Sequence, residues 1–161
     1  MEDGAHEKRI IGLVISLHIV GMYLFAPVVG WLVDRLPSSL IVGLAGVTLF
    51  VGGEMASHTD PEDRLGVFTG LFLIGLGWSF AMISGSSLLT GAFGVKERAA
   101  IQGAADFTLT ASGAAAGLAS GVIVEASSFH SLSHWAGVCA LTLVAAAFYP
   151  TVTRVRTPEP V

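Results

Sequence analysis

Asp106 is the residue of this 161-residue sequence best placed to do chemistry. It lies eight residues beyond Arg98 in the apolar stretch "RAAIQGAADFTLT". At about 1.5 Å per helical residue it would sit about 12 Å into a hydrocarbon layer about 30 Å thick, near its middle. A carboxylate at that depth is costly unless it faces a polar interior, so it marks a candidate solute or proton path. Gln102 lies one helical turn earlier on the same face, within hydrogen-bonding reach. His18 reaches a similar depth, about 13 Å from Arg9 by the same rise. Imidazole and a desolvated carboxylate both titrate near neutral pH, so a cavity shared by His18 and Asp106 would make a proton-linked pair. Each residue also has a plainer use, Asp106 as a Gln-paired packing device and His18 as a partner of a neighbouring backbone or serine.

Hydroxyls form the next group. Ser79, Ser84, Ser86, Ser87 and Thr90 share one stretch with Trp78. Trp78 and Ser79 with Ser84 are candidates for lining a solute path, the indole as an aromatic wall. Hydroxyls in membranes also satisfy helix carbonyls and join helices. Gly113, Gly117 and Gly121 recur every fourth residue and give a smooth face for close approach of another backbone. His130 and His134 have the i, i+4 spacing of a helical metal pair, yet no acidic or cysteine partner is near them in sequence, so they read as loop histidines at the membrane surface. Cys139 is the one cysteine and reads as a small buried hydrophobe. No metal and no cofactor is expected.

The elements that must position these residues are membrane helices. Hydrophobic residues make up 53% of the chain and charged ones 12%, about half the usual charged share of a soluble domain. Mean hydropathy is +0.74. Residues 10–33 and 65–95 contain no Asp, Glu, Lys or Arg, and each run exceeds the roughly 20 residues a spanning helix needs. Splitting the chain at charge and turn clusters predicts one membrane domain over residues 1–161. Its five spans fall at 10–33, 39–56, 65–90, 99–124 and 132–152, and Pro27 kinks the first. The leader MEDGAHEKR mixes acids with bases and the first apolar run is too long for a secretory signal, so a retained helix is expected. The net charge of −4 and the lack of a basic patch give no reason to expect nucleic acid as a partner. Lys8, Arg9 and Arg64 would share one side of the membrane, and Arg35, Lys96, Arg98, Arg154 and Arg156 the other. The larger group favours a cytoplasmic C-terminus.

Between the first two spans stands "GWLVDRLP", residues 30–37. Its Gly30-x-x-x-Asp34-Arg35 resembles the cytoplasmic loop motif of the major facilitator superfamily, found between that family's second and third helices and, in weaker form, between its eighth and ninth. Pro37 stands where the motif usually has Gly. The following "LFLIGLGWSFAMISGSSLLTGAF" and "KERAAIQGAADFTLTASGAAAGLASG" are similar to the tenth and eleventh helices of bacterial drug- or metabolite-type members. The resemblance runs from about Ile10 to Val152 and implies helices eight to twelve of a twelve-helix transporter. The expected fold class is therefore an all-α polytopic membrane protein, its five transmembrane helices resembling part of the C-terminal six-helix bundle of that family.

The resemblance implies the C-terminal part of a secondary-active transporter for a small solute, not an enzyme, with protons as candidate coupling ions. Its expected surroundings are the lipid bilayer, a missing N-terminal transporter half or another membrane chain, and a bacterial plasma membrane. Asp34 would face the positive end of a neighbouring helix and Arg35 a lipid phosphate or carboxylate, or the pair would simply anchor the loop on the cytoplasmic side. Two other function classes compete. One is a non-transporting membrane subunit, or a nonfunctional remnant, that packs through the glycine face. The other is an intramembrane serine hydrolase, because "GWSFA" at 77–81 and "HIVG" at 18–21 resemble fragments of rhomboid proteases, though in reversed order.

Overall fold

A backbone with no water to bond must satisfy its own polar groups, and an apolar chain does so by coiling into helices. The computed structural model describes residues 2–59 and 63–149, which form helices joined by short turns. In chain order these are α1 (Glu2–Tyr23), α2 (Ala26–Arg35), α3 (Ser38–His58), α4 (Arg64–Ala92), α5 (Arg98–Ala126) and α6 (Phe129–Ala147). Five stretches are long and apolar enough to cross a bilayer: Arg9–Arg35, Ser38–His58, Leu65–Ala92, Arg98–Ala126 and Phe129–Ala147.

The first stretch is a single span, broken into two helices at the kink expected of Pro27. α1 and α2 are separated by a turn at Leu24 and Phe25, with Pro27 in the first turn of α2. Proline has no N–H to give to the carbonyl four residues back, here Tyr23, so the helix stops there and restarts where a proline is tolerated. The last span begins three residues earlier than expected, because Ser128 caps α6 by accepting from the Ser131 amide at 3.1 Å. Residues 150–152 of that expected span, with Arg154 and Arg156, lie outside the described residues. Asp63 caps α4, accepting from the Leu65 and Gly66 amides at 3.2 and 3.4 Å.

α3 is the centre of the bundle, packed along α4 on one side and α6 on the other. α1 and then α2 run along the far side of α4. Lipid tails are as apolar as leucine, so these contacts rest on close packing rather than on escape from water. Glycine makes the closeness possible. A Cβ at Gly75 of α4 would collide with the His18 carbonyl of α1, and one at Gly21 of α1 would lie 2.6 Å from the Phe72 carbonyl of α4. Across the α3–α6 seam, a Cβ at Gly46 would stand 2.8 Å from the Ala140 carbonyl and one at Gly53 3.0 Å from the Cα of Gly137.

Beyond the glycines, Val29, Val33, Ile41, Ala45 and Phe80 join α2, α3 and α4 in a buried cluster. Ile41 is 1% exposed. Ile41→Ala is expected to lower stability by about 2 kcal/mol, at the low end of the usual range because lipid replaces water as the solvent. Thermal unfolding in detergent checks it; an unchanged midpoint would mean the cluster is not the packed centre of these three helices.

Among the described residues, nothing packs on the glycines expected to pack. Nothing lies within 4 Å of a Cβ built on Gly113, Gly117 or Gly121. α5, which carries them, touches α4 and α6 only marginally and has no buried residue. Phe107, Leu118 and Val122 stand out from it 75%, 79% and 67% exposed, so among the described residues nothing covers one complete helix face.

Candidate functional site

On α5, Gln102 and Asp106 fall one turn apart and their side chains meet: Gln102 Nε2 donates to Asp106 Oδ1 at 3.1 Å. The other end of the amide reaches α4, where Ser86 Oγ donates to Gln102 Oε1 at 3.2 Å. With its oxygen held by the serine, the amide can only present N–H to the carboxylate, which fixes its orientation. The series Ser86, Gln102, Asp106 thus ties two otherwise loosely joined helices and aims a donor at an acid. Asp106 and Gln102 share a cleft of about 160 Å³ with Ser86 and Ala105, walled by Met82 and Leu109. Asp106 itself is exposed along the free face of α5. It lies about 12 Å from Arg98, and about 9 Å short of the middle of the 29-residue helix.

His18 does not join this group. Its Nδ1 hydrogen-bonds the Leu71 carbonyl of α4 at 2.8 Å, and the Asp106 cleft is lined by α4 and α5 residues that do not include it. The two are therefore separate sites in this arrangement. The imidazole has the plainer of its two expected roles, binding a neighbouring backbone.

The three cavity-wall candidates also separate. Trp78 meets Tyr23 edge to face at 5.9 Å, at the end of α1. Ser84 is fully buried and returns its hydrogen to its own helix, donating to the Phe80 carbonyl at 2.6 Å. Ser79 is 1% exposed, and among the described residues its hydroxyl has no hydrogen-bond partner. Among the described residues Ser79 and His18 are not hydrogen-bonded to one another, His18 being bonded to Leu71.

At the opposite end of α2, Arg35 stacks over the Trp31 ring, 4.0 Å from its centroid. Among the described residues Asp34 meets neither a donor nor a cation, and α3 begins without a side-chain cap. Among the described residues, the expected link from Asp34 to a neighbouring helix end is not made. Gly30 has open space around it.

A second polar group was not legible as one. Glu54, near the end of α3, accepts from His134 Nδ1 at 2.7 Å and lies 3.4 Å from His58 Nδ1. His134 is thus in α6 beside a carboxylate 80 residues away in sequence, rather than alone in a loop. His130, also in α6, bonds the Ser57 carbonyl at 2.5 Å. The signal that finds this group is two i, i+4 pairs, 54/58 and 130/134, on helices that run antiparallel. Among the described residues no three such groups are placed to hold a metal ion. Cys139, expected to be buried, is exposed.

Residues 5–161 match the family profile described as Major Facilitator Superfamily. Two curated Bacillus subtilis (strain 168) proteins are similar over 144 residues, 89% of this chain. "Uncharacterized MFS-type transporter YdeG" is 39% identical and matched over 34% of its own length. "Uncharacterized MFS-type transporter YddS" is 35% identical and matched over 33%. The chain therefore spans about a third of the length of the curated relatives it matches. No solved structure matches.

Proposed function

Because this chain belongs to the Major Facilitator Superfamily and is an integral membrane protein of that family, we propose that it serves as the C-terminal part of a secondary-active transporter for a small solute, with Asp106 as the proton-coupling group. The observation that carries this is the hydrogen-bonded Ser86–Gln102–Asp106 series, opening on a helix face that no described residue covers. In such machines solute binds between two halves of a bundle that rock around it. The free face of α5 is where the remaining helices of a complete transporter would close the cavity, placing Asp106 between protein surfaces rather than against lipid. The proposed location is a bacterial plasma membrane with the C-terminus cytoplasmic.

The proposal is tested with the native protein in everted membrane vesicles, following internal pH while a panel of small metabolites and cationic dyes is added. A solute that moves protons only when the protein is present supports it. Intact mass measured on the same membranes tests the partner question: a chain about three times this length, or a stable second subunit, would supply the other helices. A native 16.6 kDa chain with no bound partner and no solute-driven proton movement would overturn the transport proposal.

A non-transporting membrane subunit is the second reading, favoured by the unpartnered Gly113, Gly117 and Gly121 face. In that case Asp106→Asn would leave every phenotype of the protein unchanged.

A further inference from the structure

The two i, i+4 pairs at the junction of α3 and α6 lie in matching antiparallel register, so Glu54 faces His134 and His58 faces His130. Gly53 lets this happen: its approach to Gly137, where a Cβ would be 3.0 Å from the opposing Cα, draws the helices near enough for Glu54 and His134 to meet at 2.7 Å. The hydrogen-bond pattern assigns one tautomer to all three rings. His134 Nδ1 donates to Glu54 Oε1, and His130 Nδ1 to the Ser57 carbonyl. His58 Nδ1 lies 2.8 Å from Ser57 Oγ, whose own hydrogen goes to the Glu54 carbonyl, so here too the ring donates. No described hydrogen bond uses any of the three Nε2 atoms.

We propose that Glu54, His58, His130 and His134 form a proton-operated clasp between α3 and α6, tightened when His134 takes up a proton. The proton enters at the free Nε2 and breaks nothing. It converts the hydrogen bond from a neutral ring to the Glu54 carboxylate into an ion pair between imidazolium and carboxylate on the same two atoms. Imidazole is the side chain that ordinarily changes charge between about pH 5 and pH 8. The groups facing Glu54 are His58 from its own helix and His134 from α6, with His130 beside His58. α4 contributes the apolar Val67 and Leu71 to the adjoining cavity, and its capping carboxylate, Asp63, is engaged by its own helix. Glu54 is thus the shared carboxylate among the described residues. His58 and His130 stand edge to face at 5.1 Å, so charging both introduces repulsion, and the clasp is firmest with its proton on His134. Its effect is to hold together the α3 and α6 walls of a cavity of about 660 Å³ that His58 and His130 line.

The test compares thermal unfolding of the whole native protein in detergent at about pH 8 and about pH 5.5. Relative to His134→Gln, which keeps a neutral N–H for Glu54, the native protein is expected to gain about 2–4 °C on acidification. Glu54→Gln should lose the same increment, and His130→Gln should retain it. An equal pH response in the native protein and in His134→Gln overturns the clasp. Should either variant fail to fold, spin labels on the exposed Cys139 of α6 and on Val51→Cys of α3 read the seam with all the histidines in place. Their distance distribution should narrow at acid pH. An unchanged distribution overturns the proposal.

Discussion

Asp106→Asn is expected to reduce solute-driven proton movement by on the order of 100-fold or more, the usual cost of removing a group that gives and takes the proton. The amide has nearly the shape of the acid and can still accept from Gln102, so the link to Ser86 and the packing of α5 should survive. Solute binding should therefore be retained while proton flux is lost. The measurement is internal pH in vesicles alongside binding of the same solute to the purified protein. Asp106→Glu restores a titratable group about one bond further out and should recover part of the flux. Native proton flux in the Asn variant would remove Asp106 from the coupling path and leave it as a hydrogen-bonding partner for Gln102.

The second large effect is on the fold. Gly75→Val is expected to destabilise the protein by about 3 kcal/mol or more, because even a Cβ there collides with the His18 carbonyl and lies 3.2 Å from the Met22 amide nitrogen. Both are backbone atoms and cannot swing aside, so α1 would have to move away from α4, taking the His18–Leu71 bond with it. A fall of roughly 10 °C in the unfolding midpoint follows from that magnitude. Gly85→Ala is the control on the same helix: nothing lies within 4 Å of its Cβ, and the change should stay within about 0.5 kcal/mol. Equal effects at the two positions would contradict the α1–α4 contact.

Why one glycine is indispensable and another is not could not be seen in the chain. The regular Gly113–Gly117–Gly121 stripe looked like a seam, yet the seams used are made by Gly21 with Gly75 and by Gly46 and Gly53 against α6. Nearly uniform apolar helices carry no periodicity to say which side meets protein, so only tertiary structure separates these cases. Span number and type were legible because the interruptions are charges, Pro and Gly at intervals a bilayer dictates. Gln102 beside Asp106 was also legible, being a relation within one helical turn. Ser86 was not, since its link to Gln102 crosses from one helix to the next. Glu54 was missed for the same reason: its carboxylate gains meaning only from His134 on a helix far along the chain.

Ser79 has a consequence for how freely α4 can be altered at its buried face. Ser84 shows how a buried helical hydroxyl ordinarily settles, by donating to the carbonyl four residues back. Ser79 is enclosed just as deeply, and among the described residues its hydroxyl meets no partner. An enclosed donor without an acceptor costs about 1–3 kcal/mol. A turn of the side chain toward the Gly75 carbonyl, four residues back on the same helix, would give it the outlet that Ser84 uses without any movement of α4. Ser79→Ala is therefore expected to leave the unfolding midpoint in detergent nearly unchanged, because among the described residues the hydroxyl makes no bond between helices.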